Sequence, residues 1–309
     1  MPESKFTTVI LLIAVFGLGS APVLVSAATP PWEIPVRVLA FEQTIVLLDD
    51  GGQVWRSDGA GWTQVELPGT DFIDIAPLGG SLALLHVNGK VYRSTLSGDL
   101  EEHFVAPSGA EGMAPAANGR FWFVTRTTPQ APIKVYLRGP DSESTRVEFS
   151  TDLTEAEEQS LARAYSGERI TFNQVVLLGD DEQARLVFRR RDLMAECNST
   201  ACQLVRWTSP RSVAARREQA APDQPPLPLA TVWDAVQLDG GNVFVLPAVT
   251  DYDADTGQFD QRDFVLHLTS SGRLVKSHPL PGRALALVRR GGKVFALLES
   301  GRLDPIGEG

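Results

Sequence analysis

Asp251, Asp253 and Asp255 place carboxylates at every second position, the spacing by which a tight loop wraps oxygen ligands around calcium. Gly257 falls one position late for an EF-hand type of loop, and Arg262 stands where a bidentate Glu is needed. The competing reading is a hairpin turn between strands at 243–249 and 263–269. Cys197 and Cys202 bracket a short loop; with no His beside them they cannot fill a tetrahedral zinc shell, and their spacing is not C-x-x-C. A local disulfide in an oxidising compartment is the expected product. His86, His103, His267 and His278 lie far apart in sequence, no H-E-x-x-H, G-x-S-x-G or P-loop pattern is present, and structural roles are expected for them. Asp74, Asn173 and Asp234 each interrupt an apolar strand four residues before a Leu, and Arg37 occupies a similar place near the start of the chain.

Charge is uneven. Residues 185–217 carry eight Arg against Asp192 and Glu196, a local balance of plus 6 in a chain whose net charge is minus 10. Arg189, Arg190, Arg191 and Arg206 are therefore the candidate partner surface, suited to an acidic protein or a cell-envelope component, with an ordinary solvated strand edge as the alternative. The overall negative charge and the lack of any nucleic-acid module argue against nucleic-acid binding.

The elements that must position these residues are short strands. Ile45-Val46-Leu47-Leu48-Asp49-Asp50-Gly51-Gly52-Gln53-Val54-Trp55-Arg56-Ser57 recurs in register as 82–94, and a weaker copy spans 294–303. Each copy reads as two β-rich runs joined by a turn whose Gly accepts positive φ. Another apolar strand precedes each copy and a further strand follows. Four strands per unit define a propeller blade, and blades are expected at 36–69, 70–108, 109–150, about 168–217, about 229–282 and 283–309. The last is one strand short, and Trp32-Glu33-Ile34-Pro35 is expected to supply the missing strand and close the ring. A short helix is expected at about 151–166, and the Pro-rich stretch 219–228 is expected to be a loop between blades.

On these repeats the chain resembles the β-propeller superfamily, with six blades, over essentially the whole sequence after residue 27. Arg56-Ser57-Asp58-Gly59-Ala60-Gly61-Trp62-Thr63 also resembles a shortened Asp-box, a structural turn of sialidases and other secreted propellers. The propeller resemblance puts Arg37, Asp74, Asn173 and Asp234 at the central channel. Two functions from different classes follow. One is a non-catalytic module that offers its faces to a protein or envelope partner. The other is a metal-dependent hydrolase similar to the six-bladed gluconolactonases, whose axial Glu, Asn and Asp hold a divalent ion. The Glu-Gly-Pro start of that family is absent, binding is preferred to catalysis, and no cofactor beyond calcium is implied.

Composition sets the compartment. With 43% hydrophobic residues in 309, the chain has the material for a large core. Lys5, the apolar run 6–18 and Val25-Ser26-Ala27 read as a signal peptide cleaved after Ala27, with an uncleaved anchor as the alternative. A periplasmic or extracellular protein with a single propeller domain over 28–309, and no membrane span after cleavage, is expected.

Overall fold

The runs Ile45–Leu48 and Leu82–Leu85 bury every side chain, which a strand does only when both of its faces are covered. In a ring of radial sheets the second strand of each blade is in that position, pressed between two neighbours. Outer strands such as Trp62–Val65 and Glu101–Val105 leave polar side chains in solvent. The continuous apolar run is thus the sequence signature of a blade's second strand.

The computed structural model describes residues 30–307 apart from 33, 60, 127–132, 142, 151–174, 181–182, 190–192, 208–228 and 254–256. It is an all-β, six-bladed propeller with antiparallel blades. Blade 1 comprises β1 (Pro35–Phe41), β2 (Thr44–Asp49), β3 (Val54–Ser57) and β4 (Trp62–Val65). Blade 2 comprises β5 (Phe72–Leu78), β6 (Ser81–His86), β7 (Lys90–Ser94) and β8 (Glu101–Val105). Blade 3 comprises β9 (Ala110–Pro115), β10 (Phe121–Thr125), β11 (Lys134–Arg138) and β12 (Thr145–Ser150). Blade 4 comprises β13 (Val175–Gly179), β14 (Ala184–Phe188), β15 (Leu193–Cys197) and β16 (Ala201–Arg206). Blade 5 comprises β17 (Leu229–Gln237), β18 (Val243–Asp253), a side strand β19 (Gly257–Gln261), β20 (Phe264–Leu268) and β21 (Leu274–Pro279). Blade 6 has three strands, β22 (Ala284–Arg290), β23 (Lys293–Leu298) and β24 (Leu303–Ile306).

Six apolar cores fill the six seams, each built from the facing sides of two adjacent blades. Gly52 shows how tight one seam is. Its φ is +73°, and a Cβ there would stand 2.7 Å from the Asp71 backbone nitrogen at the start of blade 2. Blades 3 and 4 are further joined at their outer edges, where β12 and β16 pair in parallel, Phe149 opposite Cys202. That union of two blades into one eight-stranded sheet had no counterpart in the sequence expectations.

The closure of the ring differs from the fourth strand expected of residues 32–35. Pro35 opens β1 of blade 1, and among the described residues β24 pairs only with β23. The seam between blades 6 and 1 is sealed by a side chain. Trp32 is buried among Val38, Leu47 and Trp55 of blade 1 and Ala286, Val288 and Leu297 of blade 6, and meets the Trp62 ring edge-on at 5.5 Å. Ile34 C=O accepts a hydrogen bond from Asp50 N–H at 2.9 Å, which fixes the approach of the segment. A buried indole brings a large apolar surface into the seam, so the plug serves the closure the strand was expected to provide. Among the described residues the only helical turn is the short one at Ala117–Gly119; the helix expected at 151–166 and the Pro-rich loop lie outside them.

Candidate functional site at the propeller axis

Five inner strands carry the same irregularity. The pairing of inner and second strand slips by one residue at Val36, Ile73, Glu111, Trp233 and Leu285. A bulge of this kind re-aims the residue that follows it. Those residues are Arg37, Asp74, Gly112, Asp234 and Ala286, one per blade at the same level of the ring. Three of the four channel candidates are therefore brought together; Asn173 lies outside the described residues.

Arg37 and Asp74 form a two-point fork, Nε to Oδ1 at 2.8 Å and Nη2 to Oδ2 at 3.0 Å. Asp74 also accepts Ile75 N–H at 2.9 Å and, from blade 3, Met113 N–H at 2.7 Å. Arg37 Nη1 reaches across the ring to Leu177 C=O of blade 4 at 3.5 Å. Asp234 repeats the clasp of Asp74. Its Oδ1 accepts Ala235 N–H and its Oδ2 accepts Leu287 N–H of blade 6, both at 2.8 Å. Arg189 was expected on an exposed partner surface. It instead turns inward, because its Nη1 donates to the Val232 and Trp233 carbonyls at the bulge of blade 5. Arg37, Asp74, Arg189 and Asp234 together bond to backbone or side chains of all six blades.

The electrostatics follow from this packing. Burial opposes the charge on Arg37, but the charge and hydrogen bonds of Asp74, with Asp234 beyond, hold its pKa above the ordinary guanidinium value. Burial pushes Arg189 down to about 10 despite the attraction of Asp234, and the like charge of Arg37 adds to the fall. Burial also raises Asp234, against the Leu287 N–H, the two arginines and the Ala235 N–H.

A divalent ion does not fit this axis. Four N–H donors already occupy the two oxygens of Asp74, each oxygen of Asp234 holds a backbone N–H, and two guanidinium groups stand in the same field. A metal would have to displace Arg37 and remain beside it. Among the described residues no group of three His, Cys, Asp or Glu is placed to hold a metal.

Beyond Arg37 the channel widens into a cavity of about 550 Å³ that opens on the face bearing the turns between inner and second strands. A hollow of about 920 Å³ adjoins it across blades 2 to 6. The remaining candidates are dispersed. Asp251 and Asp253 lie in β18, paired with Phe259 and Gly257 of β19, and Asp255 lies outside the described residues. Arg190 and Arg191 also lie outside them, and Arg206 pairs with Leu193 in the sheet. Cys197 and Cys202 are cross-strand partners joined by a disulfide and buried in the core between blades 3 and 4. One grouping escaped the sequence reading. Phe244 and His267 stack at 4.3 Å, and His278 follows at 6.2 Å from His267. These residues sit on adjacent strands of blade 5, a proximity that only the hairpin register reveals.

No protein-family model matches the chain, and no curated protein sequence matches it significantly. Solved structures share the fold. A gluconolactonase from Xanthomonas campestris aligns with a TM-score of 0.55 at 15% identity, covering 91% of this chain and 88% of that one. The WD40 β-propeller domain of Doa1 gives 0.49 at 9% identity, covering 92% and 96%. BamB from Moraxella catarrhalis gives 0.42 at 11% identity, covering 87% and 81%.

Proposed function

We propose that the chain is an exported, non-catalytic propeller that presents its faces to a protein or cell-envelope partner, periplasmic or extracellular after removal of residues 1–27. One observation carries the reading: the axial carboxylates of Asp74 and Asp234 are committed to backbone N–H groups and to arginine, so the axis ties blades together instead of holding a reactive metal. The alternative, a lactonase-type hydrolase working in the channel, needs a divalent ion where two guanidinium groups stand. A shared fold does not argue for it, since one fold hosts many functions.

The experiment is hydrolysis of aldonolactones and simple esters by purified protein supplemented in turn with calcium, magnesium, manganese and zinc. Turnover no faster than in buffer is expected. Saturable turnover that disappears in Asp74→Asn overturns the reading. N-terminal sequencing of the exported protein is expected to begin at Ala28; retention of residues 1–27 replaces release by anchoring.

A further inference from the structure

The cavity above Arg37 is built in two tiers. The lower tier is formed by Arg37 and Asp234, two of the bulge-directed positions, with Arg37 at its floor, the side chain 20% exposed. Three residues further along each inner strand, the matching positions are Ala40, Pro77 and Pro115 in blades 1 to 3, and Gln237 and Arg289 in blades 5 and 6. One half of the wall is therefore small and apolar, the other half donates hydrogen bonds, and a guanidinium lies below. Few convergent polar groups in a mostly apolar concavity of this volume describe a small-ligand site.

The donors have capacity to spare. Nε and Nη2 of Arg37 each spend an N–H on Asp74, while Nη1 has a single long contact, to Leu177 C=O at 3.5 Å. A guanidinium carries five N–H groups, so Arg37 can still donate into the cavity. Arg289 holds Asp239 at 2.5 Å, but that carboxylate is 84% exposed and such surface pairs exchange at little cost. The acidic groups on the lining are Glu42, which is exposed at the rim, and Asp234, whose two oxygens face backbone N–H groups.

We infer that the mouth of the channel between Arg37 and Arg289 binds a carboxylate carried on a short aliphatic segment. The carboxylate sits between the two guanidinium groups, and the aliphatic part lies against Ala40, Pro77 and Pro115. This deepens the proposed binding function and rests on it. A free short-chain acid and the C-terminal residue of a peptide share the chemistry.

The test is titration calorimetry of the full chain with hexanoate, with acetyl-Ala-Ala-Leu as the free acid, and with the same peptide amidated. Binding of one or both acids and not of the amide is expected; hexanoate alone assigns the site to a free acid, the peptide acid alone to a C-terminus, and both to the shared carboxylate chemistry. Arg289→Gln is expected to weaken the bound acid at least about tenfold, the worth of one charge-assisted hydrogen bond. Ala40→Glu, which places a negative charge in the mouth, is expected to abolish binding, with an unchanged melting curve showing that it folds. The inference is overturned if neither acid binds, if acid and amide bind equally, or if Ala40→Glu binds as wild type. The non-catalytic reading survives those outcomes, because only turnover of lactone or ester removes it.

Discussion

Arg37 of blade 1 grips the carboxylate of Asp74 in blade 2 through two hydrogen bonds of 2.8 and 3.0 Å, and the same carboxylate takes the Met113 N–H of blade 3. One side-chain pair thus fastens three successive blades at the axis. Arg189 and Asp234, each through backbone groups, link blades 4, 5 and 6. The axis is a structural hub.

Breaking that pair from one side leaves a buried charge without its partner. Asp74→Ala is expected to lower the unfolding free energy by about 3–5 kcal/mol. Arg37→Met is expected to cost less, because Asp74 keeps its two backbone N–H donors. The double variant is expected to fall well short of the sum, the mark of direct coupling in urea-unfolding curves. Additive losses would show that the pair does not act as a unit.

Trp32 tests the closure of the ring. Trp32→Ala removes the plug between blades 6 and 1 and is expected to destabilise by about 3–5 kcal/mol. Ile34→Ala, two residues away at a residue 41% exposed, is expected to change stability by no more than about 0.5 kcal/mol. Thermal melts of the two variants check the contrast, and equal melting temperatures contradict the plug.

Acid is expected to weaken the fold through the histidine ladder. Burial lowers the pKa of His267, and burial together with Lys276 and His267 lowers that of His278. The unfolded chain therefore binds more protons, so this stability is present above pH 6.5 and is lost as pH falls through the lowered folded values. Nε2 of both rings is buried with no hydrogen-bond partner, and a proton placed there has no acceptor. His103 shifts the same way, whereas the raised pKa of Asp234 acts in the opposite sense. Replacing His267 and His278 with Phe is expected to flatten the denaturation midpoint between neutral pH and mild acid. An unchanged slope assigns the effect elsewhere.

The disulfide contributes modestly. Cys197 and Cys202 close a very small loop, so replacing both with Ala is expected to cost about 2 kcal/mol by the loop-entropy argument. Cys197 is 2% exposed and Cys202 fully buried, so reductant is expected to act only as fast as the fold opens. Guanidinium unfolding with and without reductant, read against the double variant, measures both effects.

Much of this architecture was legible from residue order. The recurrence of Ile45–Ser57 at 82–94 marks two blades, and the continuous apolar run of each second strand reflects burial on both faces. Asp74 and Asp234 were visible as polar interruptions four residues before a Leu, with Arg37 in a similar place in the first blade. What the interruption does was not visible, because it depends on a backbone bulge and on N–H groups contributed by the next blade. The inward turn of Arg189 was hidden for the same reason: a run of arginines looks like a basic surface until the Val232 and Trp233 carbonyls at the bulge are located. Trp32 was read as part of a strand because the last blade is one strand short, and only the seam between the first and last blades shows that its side chain does the closing.

The most direct test of the account is a thermal melt of chelator-stripped protein with and without excess calcium or magnesium. A ligand that binds the folded state alone raises the melting temperature. With Arg37 and Arg189 filling the axis, no metal-dependent shift is expected in wild type. A rise in melting temperature that vanishes in Asp74→Asn/Asp234→Asn and persists when Asp251, Asp253 and Asp255 are replaced would place a metal at the axis and contradict the account.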